Sequence, residues 1–112
     1  MRKLGEVDRK KLFEEKKKSL VTIITGYKIK KEMLELFETA KNENKKYEKE
    51  IRELIDLGKK INKDCDNALS FEKDVKNEED LMELGENLKL INSDYVKLAN
   101  KMDELDKKME EN

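Results

Sequence analysis

Apolar residues in the last third of the chain recur at alternating intervals of three and four. The ladder runs without a gap through Leu81, Leu84, Leu88, Ile91, Tyr95, Leu98, Met102, Leu105 and Met109. This spacing is the a/d pattern of a helix that buries one narrow seam against another helix. Asn77 and the three acids that follow it are typical of a helix start, because they cap and complement the N-terminal end. We therefore predict a helix over about 78–110.

A second ladder upstream keeps the same alternation over thirteen positions. Its members are Met33, Phe37, Ala40, Asn44, Tyr47, Ile51, Leu54, Gly58, Ile61, Cys65, Ala68, Glu72 and Val75. The unbroken register predicts one long helix over about 28–75. Residues 41–44, with two asparagines and no glycine or proline, fit either a polar step in that helix or a loop.

The short segment between the two ladders makes the helices antiparallel neighbours. If the turn centres near residue 76, the numbers of opposing residues sum to about 153, which places Gly58 opposite Tyr95. Pairing a small residue with a large one is what tight packing at one register requires. We expect the seam to consist of Ile51, Leu54, Gly58, Ile61, Leu88, Ile91, Tyr95, Leu98 and Met102.

The first segment carries its own helical stripe, whose centre is rotated by more than about 100° from that of the second ladder. A helix break at Gly26, which can adopt the left-handed conformation of a C-cap, would separate a first helix over about 8–25. The expected fold is all-α: a long antiparallel, coiled-coil-like hairpin with a shorter N-terminal helix, in a single domain over 1–112. The alternative is a compact, spectrin-like up-down-up bundle with helices over about 6–41, 45–75 and 78–110.

The composition argues against an enzyme. Charged residues make up 47% of the chain, and histidine is absent, which removes the usual ligands of zinc and di-iron sites. The pairs Glu50/Glu53 and Asp80/Glu83 resemble the magnesium-binding spacing of all-α nucleotide pyrophosphohydrolases, but the second pair departs from the order of that family. Among 27 acidic residues such spacings arise readily by chance. We expect no catalytic site, no cofactor and no metal.

Charge is divided unevenly along the chain. Residues 1–31 carry a net charge of +7 and residues 32–112 a net charge of −8. The basic face of the N-terminal segment comprises Lys10, Lys11, Lys16, Lys17, Lys18 and Lys28. It fits a solvated helix face, a partner-binding face or attachment to an anionic membrane surface. Nucleic acid is a weaker fit, because only three arginines are present.

These patterns predict a helical scaffold or adaptor that acts through protein–protein interaction. Apolar residues off the main ladders favour self-association into a homo-oligomer; they are Leu36, Leu57, Leu69, Leu90 and Val96. Two alternatives stay open: a small regulator, inhibitor or secretion-chaperone-type protein with one target, and peripheral membrane binding through the basic segment. We expect a cytoplasmic protein, since no signal peptide or membrane-spanning run is evident, with leaderless export as the alternative.

Overall fold

The computed structural model describes the backbone of residues 2–111 and the side chains of residues 8–111, and its regular structure is helical. The helices are α1 (Arg2–Tyr27), α2 (Lys31–Glu43), α3 (Glu48–Phe71) and α4 (Glu78–Glu110), with short 3-10 turns at Lys45–Tyr47 and Glu72–Asp74. The molecule measures 69 × 23 × 20 Å. The predicted all-α fold is confirmed.

Helices α1 and α2 lie end to end and form one bent arm (residues 2–43) that runs antiparallel to α3. The Lys17 amine lies 3.6 Å from the Glu72 carboxylate, and the Lys28 amine lies 2.9 Å from that of Asp66. Further along the arm, Leu34 packs over Gly58. The chain therefore runs up along the arm, down along α3 and up again along α4.

The predicted continuous helix over 28–75 is not observed. The chain turns at Asn44, whose backbone leaves the helical region at φ −123° and ψ 74°. Its amide N–H and its side-chain Nδ2 both donate to the Ala40 carbonyl and so close the end of α2. The alternative bundle predicted a turn at residues 41–44, whereas α2 continues to Glu43 and the turn covers residues 44–47. This turn lets the arm pack on α3 instead of extending away from it.

The antiparallel register of α3 and α4 agrees closely with the prediction. Lys60 pairs with Asp94, and Lys101 pairs with Glu53. The numbers in each pair add to 154, one more than predicted. Asn77 caps α4 as expected, because its side chain accepts a hydrogen bond of 2.9 Å from the Asp80 N–H.

Gly58 does not face Tyr95 as predicted. A Cβ built on Gly58 would lie 2.9 Å from Leu34 Cδ2 and 3.9 Å from Ile29 Cγ1, so this face of α3 is covered by the arm. Tyr95 instead packs edge-on against Tyr27, with ring centroids 5.2 Å apart. The register was right and the facing helix was wrong, because a third helix occupies that side of α3.

We predict that Gly58→Leu lowers the free energy of unfolding by about 1–3 kcal/mol, because it overpacks the contact with Leu34. The matched control is Gly85→Leu in α4, where nothing lies within 4 Å of an added Cβ. Removing a helical glycine there should change stability little or raise it by about 0.5–1 kcal/mol. Urea unfolding followed by circular dichroism measures both. Equal stabilities of the two variants would contradict this packing.

The break between α1 and α2 is held by one side chain from α3. Asn62 Oδ1 accepts a hydrogen bond from the Ile29 N–H (2.6 Å), and Asn62 Nδ2 donates to the Ile29 carbonyl (3.0 Å). These bonds satisfy backbone groups that a helix would otherwise pair internally. The predicted break between a first and a second helix is observed two residues later than expected, because α1 continues to Tyr27. Gly26 is not the predicted left-handed C-cap, since it has no positive φ.

The core runs the length of the bundle. Buried apolar side chains come from the arm, α3, the segment before α4 and α4: Ile24, Ile29, Ile51, Leu54, Ile55, Ile61, Cys65, Ala68, Val75, Leu81, Leu84, Ile91, Leu98 and Leu105. In α4 the buried ladder residues Leu84, Ile91, Leu98 and Leu105 recur every seven residues. The intervening rungs are less deeply buried from Leu88 onward, so one edge of the α4 ladder stays accessible.

Candidate interaction surface

Helix α1 carries more apolar surface than the core can cover. Ile24 is fully buried, whereas its neighbour Ile23, about 100° further around the helix, is 47% exposed. Leu12, on the same side as Ile23, is 52% exposed. One flank of the α1 stripe therefore packs in the core, and the other borders solvent.

An apolar groove lies along this flank, between α1 and α4. Its two adjoining halves have volumes of about 640 and 560 Å³ and share Leu20 and Met82. The residues that line it are mostly apolar or small: Leu12, Ser19, Leu20, Ile23, Tyr27, Leu81, Met82, Gly85, Leu88 and Asn92, with Glu15, Lys16, Glu78, Glu86 and Lys89 among them. We call this the α1–α4 groove.

The floor of the groove is open at Gly85. No atom lies within 4 Å of the position that a Cβ would take there, and the nearby Met82 side chain is 69% exposed. A glycine at this point lets another chain approach the α4 backbone closely. The groove thus combines apolar walls with a low floor, which are the features that receive a helix face.

The predicted seam residues fall into two groups. Ile51, Leu54, Gly58, Ile61, Ile91 and Leu98 are buried in the bundle, whereas Leu88 and Met102 are half-buried and Tyr95 is 40% exposed. Leu88 lines the α1–α4 groove, and the Tyr27 ring that packs on Tyr95 stands at the end of it. Leu88 and Met102 therefore pack against the edge of the core, and Tyr95 lies at the surface.

The opposite side of α4 is polar where it meets α3. The Lys60 amine donates to the carboxylates of Asp94, which is only 8% exposed, and of Asp64. Hydrogen bonds from the amine to these carboxylates raise the pKa of Lys60 above its ordinary value. Burial of Asp94 was not predicted, because an acid beside an apolar ladder looks like an ordinary surface residue.

The predicted basic face is only partly available to a partner. Lys17 bonds to the Val75 carbonyl and pairs with Glu72, and the Lys28 amine pairs with Asp66. The hydrogen bond from Lys28 to Asp66 raises the pKa of Lys28. Lys17 is half-buried, whereas Lys28 stays exposed although it is paired, as do Lys10, Lys11, Lys16 and Lys18. Two of the six side chains thus dock the arm on α3 and its C-terminal turn.

The acidic pairs considered as a metal site do not come together. Glu50 and Glu53 lie beside α4 residues 101–108, whereas Asp80 lies in the first turn of α4, where it accepts from the Lys76 N–H. About 20 residues of α4 separate them, or roughly 30 Å. Within residues 8–111 no three acids or thiols are grouped so as to hold a metal ion.

Cys65 is a fully buried free thiol in the last third of α3. Desolvation, with a smaller contribution from the Asp66 charge, raises the pKa of the thiol above its ordinary value. A neutral buried thiol is a poor nucleophile, so Cys65 serves packing in the folded state.

None of the described helices combines the length and apolar character needed to cross a membrane. Comparison of the chain with protein-family models, with curated proteins and with solved structures finds no match. The function therefore has to be inferred from the geometry of the described residues. Among them, the α1–α4 groove is an exposed apolar surface that another chain could cover.

Proposed function

We propose that this chain is a non-enzymatic helical adaptor that binds the apolar face of an amphipathic helix from another chain. The supporting observation is the α1–α4 groove, in which Ile23 and Met82 stand exposed on either side of the open backbone at Gly85. A helix laid there would complete a four-helix arrangement and cover the accessible edge of the α4 ladder.

The dimensions of the groove suit such an occupant. From Leu12 to Tyr27 it follows α1 for about 22 Å, which matches about four turns of a partner helix. Acids and lysines alternate along its edges, with Glu15 beside Lys16 and Glu86 near Lys89. Because neither sign dominates, apolar burial would provide most of the affinity, and binding should depend only weakly on salt.

The proposal includes a cytoplasmic site of action, since a free buried thiol suits a reducing compartment. It also covers two modes of use. A scaffold would bind several partners or further copies of itself, whereas a regulator would hold one target at a fixed stoichiometry. The number of partners captured through the groove distinguishes these modes.

The test compares two matched substitutions on α4. Met82 and Leu90 are 69% and 65% exposed, but Met82 lines the groove and Leu90 lies on the α3 side. A photoreactive phenylalanine analogue at Glu86, an exposed residue at the edge of the groove, should crosslink the partner in the native cell and leaves the space at Gly85 open. Met82→Glu should abolish this capture, and Leu90→Glu should leave it unchanged, with both variants folded by circular dichroism. Capture that is insensitive to Met82→Glu, or no capture at all, would refute the proposal.

A further inference from the structure

The turn that joins α2 to α3 (residues 44–47) is built from residues that a helix accepts. It contains Asn44, Lys45, Lys46 and Tyr47, with no glycine or proline. No non-glycine residue and no glycine in the described backbone has a positive φ. Asn44 is therefore the one residue of the turn that favours a reversal of the chain, and it acts through its bonds to the Ala40 carbonyl.

The heptad pattern also passes through the turn without a change of register. Ala40, Asn44, Tyr47 and Ile51 keep the alternation of four and three that runs from Met33 to Val75. A connecting loop has no reason to preserve this spacing, since its residues do not share a helix face. A straight helix through residues 44–47 would align the apolar faces of α2 and α3 into one stripe.

The backbone of the turn differs from such a helix mainly at one residue. Residues 45–47 already form a 3-10 turn, and Glu48 is helical at φ −52° and ψ −45°. The largest difference is at Asn44, whose ψ of 74° would have to rotate by about 115° to reach the helical value. Tyr47, at φ −109° and ψ 15°, needs a smaller adjustment.

Straightening the turn would pull the arm away from its own α3, but a second copy can restore the contacts between the arm and α3. The arm docks through side chains that meet antiparallel partners: Ile29 with Asn62, Lys28 with Asp66 and Leu34 with Gly58. Two molecules related by a two-fold axis near residues 44–47 would place each arm on the α3 and α4 of the other. The balance between the two forms then depends mainly on the turn and on protein concentration.

We propose that two copies of this chain exchange their α1–α2 arms and form a domain-swapped dimer. In it, residues 31–71 make one continuous helix about 60 Å long. The dimer is one form of the self-association in the proposed function, but it does not use the α1–α4 groove. Lys45 and Lys46 of both copies would approach each other near the axis, so added salt should raise the dimer fraction by screening their repulsion.

Two hinge substitutions should move the equilibrium in opposite directions. Asn44→Ala removes the side-chain bond to Ala40 and introduces a stronger helix former, so the dimer association constant should rise at least about tenfold. Lys45→Pro fits the first position of the 3-10 turn after a non-helical Asn44, but it breaks a continuous helix. It should lower the constant at least about a hundredfold. Sedimentation equilibrium after refolding at high protein concentration measures both.

A cysteine pair identifies the swap itself. Leu34→Cys with Gly58→Cys, in a Cys65→Ala background, places thiols on the arm and on α3 where they meet. Oxidised monomer should give an internal disulfide, and oxidised dimer should give a covalent dimer on denaturing, non-reducing gels. The two single-cysteine variants are the controls, and circular dichroism confirms that each variant folds.

The outcomes separate the swap from groove binding. Covalent dimers that require both cysteines, together with the opposite effects of the hinge variants, would establish the swap. An Asn44→Ala protein that stays monomeric, or a dimer with only internal disulfides, would overturn it. Met82→Glu should leave the swap unchanged, so either proposal can fail without the other.

Discussion

Replacing Leu54 by alanine is expected to lower the free energy of unfolding by about 2–5 kcal/mol. Leu54, in the first third of α3, is 3% exposed, and a hollow of about 150 Å³ already adjoins it between the arm and α4. Truncation removes apolar contacts and enlarges a space that the surrounding helices cannot easily close. Urea denaturation at neutral pH measures the loss.

Leu88→Ala provides the comparison within the predicted seam. Leu88 is half-buried at the wall of the α1–α4 groove, so its truncation should cost clearly less than that of Leu54. Leu36→Ala, at a side chain that is 68% exposed, should change stability little. A loss for Leu36→Ala equal to that for Leu54→Ala would show that burial along these helices is not as described.

Asn62→Ala is expected to destabilise the protein by about 1–3 kcal/mol, because it leaves the N–H and C=O of Ile29 without their partner. Ile29 is only 7% exposed, so water would replace the lost bonds poorly. Native-state hydrogen exchange gives a local readout: the Ile29 amide should exchange faster in the variant, while amides in the middle of α4 change less.

The control is Asn67→Ala on the same helix, at an exposed residue beside the polar hollow between α3 and α4. It should change stability by no more than about 0.5 kcal/mol. If Asn62→Ala and Asn67→Ala proved equally mild, the break between α1 and α2 would have to be held by the ion pair of Lys28 with Asp66 and by packing alone.

The parts of the fold that the sequence predicted correctly depend on local periodicity. The α4 ladder and the Asn77 cap define where that helix begins and which side it buries. The register of α3 and α4 followed from the short connection between them, since two long helices joined by a short turn have few ways to pair. The boundaries of α4 and its register with α3 could therefore be predicted without knowing where the third helix packs.

The arrangement of the arm depended on information that the sequence expresses weakly. Asn44 and Tyr47 fit the ladder whether the chain turns or continues, so periodicity alone could not locate the turn. The break at residues 28–30 rests on Asn62, which lies 33 positions away and has no local signature as a backbone partner. Gly58 looked like a partner for Tyr95 because the pattern shows which positions are apolar, not which helix covers them.

The groove was only partly foreseen for a similar reason. Apolar positions outside the main ladders indicated surplus surface, but Leu36 and Val96, which were among them, are exposed without lining the groove. Ile23 and Met82 become neighbours of one surface only because α1 runs beside α4. Gly85 matters because the space above its backbone is empty, and the pattern of residue types along a chain does not show where such space lies.

The deep position of Cys65 gives the molecule an internal reporter of its own dynamics. Because the thiol has no exposed surface in the closed bundle, a water-soluble disulfide reagent can modify it only during moments when neighbouring helices separate. The rate of that modification, compared with the rate for the urea-unfolded chain, therefore measures how often the helices around Cys65 separate.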